Sequence, residues 1–183
     1  MNADETRRKS PVRDTIGLPF TIFRASDAVD YDGDGPMTST PVSDIEAQGG
    51  RKLVEAGALD GSTVKLLFSR PGLSLTHVWF RSGYPLPRHS HNADCLYVIT
   101  GGSLRIGSEE LGAGDGFFVG KDVPYAYTPG PEGVEVLEIR TDNAFDIKLF
   151  ANNPAWWSKA VERLSEHRPH WDEESPPSGW HVG

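Results

Sequence analysis

The sequence predicts an all-β chain, a single small antiparallel barrel or sandwich with an N-terminal extension and a C-terminal helix. Three observations predict it. From Thr63 onward, short runs rich in Val, Leu, Phe, Tyr and Ile recur about every eight to twelve residues, the rhythm of strands in an all-β domain. Gly and Pro, 20 and 14 of 183 residues, make about a fifth of the chain, against roughly 12% in average usage. No helical pattern separates the runs, so nothing supplies the crossovers that a parallel sheet needs.

Taken in order, residues 1–62 read as an N-terminal arm and extension. Residues 1–15 mix charge with small polar residues and form a loose arm. Leu18 to Phe23 reads as a strand laid on an outer face, and Val29 to Pro41, rich in Asp, Gly, Pro and Thr, as a long loop. Residues 63–145 form the barrel, with strands expected at Thr63–Ser69, Leu73–Arg81, Cys95–Thr100, Ser103–Ile106, Gly116–Val119, Tyr125–Tyr127 and Val134–Arg140. Residues 146–183 are a helix and tail. Asn153 suits the N-cap and Pro154 the first helical position, where its missing N–H costs nothing. Trp157, Val161 and Leu164 then form one stripe that must pack on something, and the helix frays before Pro169. The tail is too rich in Pro and charge for regular structure, yet it carries Trp171 and Trp180. Tryptophans are costly to leave in water, so the tail lies on its own barrel or on a partner.

Composition excludes several functions. A net charge of -8 argues against nucleic acid, whose phosphates call for surplus Lys and Arg. No stretch approaches the roughly 20 apolar residues of a membrane helix, and the charged N-terminus lacks an apolar signal core. With Cys95 the single cysteine, no internal disulfide can form, which fits a cytoplasmic location. Two motif-like stretches fail on inspection. Asp30-Tyr-Asp32-Gly-Asp34-Gly35 opens like a calcium loop, but the bidentate Glu position is Pro41, so it reads as a solvated acidic turn. Gly112-Ala-Gly114-Asp-Gly116 has Phe117 where dinucleotide binding needs the next glycine, and no helix follows.

The informative segment runs from Gly83 to Gly102. His89 and His91, one residue apart, share a face if the backbone is extended. Paired imidazoles on one side of a strand are a natural grip for a borderline transition metal, although His-x-His also occurs on exposed strands.

Here the chain resembles the cupin superfamily, whose first motif runs Gly, five residues, His-x-His, three or four residues, Glu, six residues, Gly. Gly83 is followed by five residues, His89-Ser-His91, three residues, Cys95, six residues and Gly102. Cysteine thus stands where the family has glutamate. A rival alignment puts Asp94 in that role, with Gly101 closing the motif. The second cupin motif opens well at Gly114-Asp115 and then drifts, with Gly120, Asp122, Tyr125 and Pro129 replacing its proline, glycine, histidine and asparagine. The resemblance covers residues 63–141 and implies a jelly-roll barrel.

The resemblance also implies a divalent transition metal (Fe, Zn, Ni or Mn) held from inside the barrel. His89 and His91 keep the family's identities, and Cys95 would be a softer third ligand that favours zinc or iron. Tyr125 could ligate only as phenolate, against a free pKa of about 10. Cysteine at the glutamate position also resembles the thiol dioxygenases, which keep three histidines where this chain shows two in register. The expected pocket adds His77, Trp79 and Tyr127, with Tyr97 and Tyr125 as the catalytic candidates, and suits a small organic ligand. Two functions stay open. One is a metal-dependent enzyme of oxygenase or isomerase-like chemistry, with a tyrosine as proton donor. The other is a binding or sensory domain without metal. Cupin relatives commonly pair barrels, and Trp156, Trp157, Trp171 and Trp180 exceed what one helix and tail would hide, so a homodimer is expected.

Overall fold

Two sheets enclose a cavity in the computed structural model, which describes residues 19–31, 37–40 and 42–183. The strands are β1 (Val29–Asp30), β2 (Met37–Ser39), β3 (Ser62–Arg70), β4 (Leu73–Phe80), β5 (His89–Ser90) and β6 (Cys95–Ile106), followed by β7 (Glu109–Gly112), β8 (Gly116–Val119), β9 (Thr128–Arg140) and β10 (Phe145–Leu149). The helices are α1 (Asp44–Glu55) and α2 (Pro154–His167). The larger sheet runs β1-β3-β4-β9-β6-β7, with β8 also paired to β6, and the smaller runs β2-β10-β5. Pairing is antiparallel except between β10 and β2.

Of the expected sandwich or barrel, the structure has two facing sheets: among the described residues both are open, and the hydrogen-bond ladder does not run around the cavity. The all-β reading needs correction, because α1 lies in the stretch assigned to the extension. Its start is well specified. The Ser43 side chain accepts from the Glu46 N–H while the Glu46 carboxylate accepts from the Ser43 N–H, a reciprocal cap. The helical period is hard to see because Gly49 and Gly50 interrupt it. Gly49 is required by packing, since a Cβ there would lie inside the Trp157 ring of α2. Burial of Leu53, Trp157, Ala160, Leu164 and Trp171 ties both helices and the tail into a second core.

The strand expectations meet the structure unevenly. Gly116–Val119 forms as read, and Thr63–Ser69 and Leu73–Arg81 shift by about one residue at their ends. Cys95–Thr100 and Ser103–Ile106 are one strand, β6, whose ladder slips on both sides of Gly101 and Gly102. Gly102 has φ 67°, and a Cβ there would collide with the Gly133 carbonyl; a turn signal therefore sits inside a strand. Tyr125–Tyr127 is no strand, only a single bridge from Tyr125 to His89. Residues 19–24 form no strand either, and Phe20 and Ile22 are exposed. Residues 1–18, 32–36 and 41, with the whole of the loose arm and most of the acidic turn, lie outside the described residues; Asp30 pairs with Lys65 at 2.8 Å.

α2 is capped as expected, with the Asn153 side chain accepting from the Ala155 N–H, and Trp157 and Leu164 are buried. The tail is more regular than its composition suggests, because Arg168–Glu173 forms a 3-10 helix. Trp171 is buried and donates its Nε1–H to the Ser82 carbonyl at 2.9 Å. Beyond it the chain lies on its own larger sheet, where the Ser178 N–H donates to Glu135. Trp157 and Trp171 are thus hidden by their own chain, and Trp180 keeps about half its surface in water at 47%. The expected homodimer loses that support. No helix among the described residues is long and apolar enough to cross a membrane.

Candidate functional site

Alternation along the central strands decides what faces the cavity. On β9, Val134, Val136, Glu138 and Arg140 turn inward, and on β4, Thr76, Val78 and Phe80 do so. Opposite them the smaller sheet contributes His89, Phe145 and Ile147, and the segment after β8 contributes Tyr125 and Tyr127. The cavity, open to solvent on one side, has a volume of about 320 Å³ and is lined also by Tyr31, Tyr84, Leu86 and His91.

His89 and His91 are both buried and both line this cavity, their ring centroids 5.1 Å apart. Each is fixed from behind by a carbonyl, which can only accept. His89 Nδ1 donates to Pro87 O at 2.8 Å and His91 Nδ1 donates to Asp146 O at 2.6 Å. Both rings therefore carry their proton on Nδ1 and leave a lone pair on Nε2. Burial lowers both pKa values, that of His91 to about 3 with help from the Arg140 guanidinium. Both imidazoles are neutral at ordinary pH.

The His89 lone pair is engaged: the Tyr125 hydroxyl donates to Nε2 at 2.9 Å. Tyr125 in turn shares a hydrogen bond with the Tyr97 hydroxyl. Tyr97, fully buried, stands behind Tyr125 and stacks on Phe117 with centroids 4.5 Å apart. Burial, then the Glu138 carboxylate, raises the pKa of Tyr97, Tyr125 and Tyr127. All three phenols keep their protons at neutral pH.

Glu138 and Arg140 form a buried ion pair at 2.7 Å, and the Arg140 guanidinium lies 4.3 Å above the Phe145 ring. Burial disfavours the cation, but Glu138 and the surrounding polar groups outweigh it and hold the Arg140 pKa above its ordinary value. Sequence reasoning missed both residues. The available signal was two charges at period two on a strand whose preceding inward positions, Val134 and Val136, are apolar.

Other expected site residues go elsewhere. His77 and Trp79 are not in the pocket, because they alternate with the inward Thr76 and Val78 and face the other side of the larger sheet. There His77 Nε2 meets Glu135 at 2.9 Å under the tail, with the Trp180 ring 6.4 Å away, and Arg81 lies 4.2 Å over Trp79. Cys95 is buried in the apolar core beside Tyr97 and Tyr125 and does not line the cavity. Burial pushes its thiol up to about 12. Asp94, its rival, turns outward to accept from the Lys121 N–H at 2.7 Å.

The donor set bears on a metal. Two neutral imidazoles with Nδ1–H anchored to carbonyls are in the tautomer that metal ligands adopt. The remaining donors do not converge with them: Cys95 lies in the core, Tyr125 donates to His89, and Glu138 is paired with Arg140. No three His, Cys, Asp or Glu side chains among the described residues converge on one point. The expected trio of His89, His91 and Cys95 therefore does not assemble, because Cys95 packs into the core instead of the cavity.

No protein-family model and no curated protein matches the chain. Several solved structures are similar to it. KdgF from Halomonas sp. is 18% identical over 45% of this chain and 81% of its own, with a TM-score of 0.43. An RmlC-like cupin from Shewanella frigidimarina is 22% identical over 45% and 78%, with a TM-score of 0.41. The polyketide cyclase RemF from Streptomyces resistomycificus is 17% identical over 57% and 84%, with a TM-score of 0.45.

Proposed function

We propose that this cupin-like chain binds a small organic ligand between its two sheets and moves a proton on it without a metal. The observation that carries this reading is the pairing of an unprotonated Nε2 with a protonated phenol at one cavity wall. The neutral His91 Nε2 can accept a proton from the ligand. Tyr125 can donate one, giving up its hydrogen bond to His89, and it is resupplied by the Tyr97 hydroxyl. A cavity of about 320 Å³ with aromatic and aliphatic walls suits a compact ligand. Isomerisation by proton abstraction and return is the reaction class such a pair supports.

The test is solvent exchange. Small organic compounds that raise the melting temperature would be incubated with the protein in deuterium oxide and followed by NMR. Enzyme-dependent exchange of a carbon-bound hydrogen, lost in Tyr125→Phe, is expected. Bound compounds that exchange no faster than in buffer would leave a binding domain and remove the catalytic reading. The metal-dependent reading keeps one supporting observation, the two carbonyl-anchored imidazoles, and elemental analysis of the purified protein checks it.

A further inference from the structure

Two buried polar atoms without a hydrogen-bond partner among the described residues, Arg140 Nε and Thr76 Oγ1, belong to residues lining this one cavity, and the Tyr31 hydroxyl there has a proton to give as well. The Tyr31 oxygen lies beside the Met37 backbone, which leaves its proton without an acceptor. Buried donors normally find acceptors, because each one left bare costs about 1–3 kcal/mol. These three groups, which no described residue satisfies, are donors that an acceptor on a bound ligand would complete.

Arg140 identifies the chemistry of that acceptor. A guanidinium presents five N–H donors in a plane, and the ion partner of this one is a single Glu138 oxygen at Nη2. The residue is 4% exposed, and its Nε–H is buried with no partner among the described residues. Phe145 below the guanidinium face holds the fork in place. A planar fork matches a carboxylate in two-point contact better than it matches a single carbonyl oxygen. Arg140 is the one Lys or Arg among the cavity-lining residues, and it is already offset by Glu138. That balance disfavours a dianion such as a phosphate monoester.

We infer that Arg140 is the recognition group for a carboxylate on the ligand, so that the substrate class is a small organic monoacid. The inference rests on the small-ligand reading above and adds the functional group. With the carboxylate at Arg140, the carbon skeleton extends towards His91 and Tyr125, which line the same cavity.

The test uses matched probes that differ only in charge: acetate and acetamide, isobutyrate and isobutyramide, benzoate and benzamide. Each is titrated into the full chain and followed through the NMR shifts of cavity residues. At least a tenfold preference for acid over amide is expected in the wild-type chain, falling to less than twofold in Arg140→Gln. Because that variant strands a buried Glu138 and could fail to fold, Glu138→Gln with Arg140→Gln removes both charges and must give the same loss. Equal binding of acid and amide by the wild-type chain would overturn the carboxylate inference while leaving the small-ligand reading intact. Acid preference persisting in the double variant would also overturn it. Cavity resonances unmoved by every probe would overturn both.

Discussion

Tyr125 donates its phenolic proton to Nε2 of His89 across 2.9 Å, and the two residues meet as the single β-bridge that joins the segment after β8 to β5. The main chains exchange both hydrogen bonds of that bridge, with the His89 N–H donating at 3.0 Å and the Tyr125 N–H at 2.9 Å. The backbone therefore sets the side-chain contact, and removing the hydroxyl should leave the pair in register.

Tyr125→Phe tests what that proton does. The substitution leaves the His89 Nε2 lone pair and the Tyr97 hydroxyl without their partner. A loss of about 1–3 kcal/mol in urea unfolding is expected. Turnover of any exchanging ligand should fall roughly 10²–10⁴-fold, the range for loss of a general acid. Activity within tenfold of wild type would remove Tyr125 from the chemistry.

Metal content follows from the donor set. The purified chain should hold transition metal well below one equivalent. Cys95→Glu with Tyr125→His should leave it there and lower the melting temperature, because a carboxylate at position 95 enters the apolar core and not the cavity. One equivalent in the wild-type protein, lost in His89→Ala with His91→Ala, would establish the metal-dependent reading instead.

Acid should destabilise the protein before its carboxylates titrate. His91 is held near 3 in the fold by burial, whereas in the unfolded chain it titrates at its ordinary value of 6.5. Between those values the unfolded chain binds more protons, so stability falls as pH drops through the window, by at most about 1.4 kcal/mol per pH unit. His89, also lowered by burial, adds in the same direction. Urea midpoints measured from pH 6.5 to 5 should decline, and His91→Gln should flatten the slope. An unchanged slope in that variant would mean that other groups carry the effect.

Gly49→Ala probes the contact between the helices. Alanine ordinarily favours a helix by about 1 kcal/mol over glycine, but here its methyl would occupy the Trp157 ring. The packing clash, typically 1–3 kcal/mol, should outweigh propensity and lower the melting temperature. Gly50→Ala, with open space around its position, should raise it.

By itself the sequence determined the β-rich class, most strands of the larger sheet, the cap of α2 and the shared side of His89 and His91, which both line the cavity. These features are local. Period-two alternation, turn residues and a capping pair act within a few positions, and the spacing from Gly83 to Gly102 records a backbone requirement that φ 67° at Gly102 makes explicit. Helix α1 was equally local in its Ser43 and Glu46 cap, but its glycines serve a partner, Trp157, that lies far along the chain. The tertiary structure alone decided which side of each strand meets the cavity. One step in register exchanges inside for outside, so His77 passed from the pocket to the covered outer face while Thr76 took its place. Glu138 and Arg140 gained their meaning the same way. A charged pair on a strand is ordinary in water, and here the second sheet facing it buries the pair at the cavity wall.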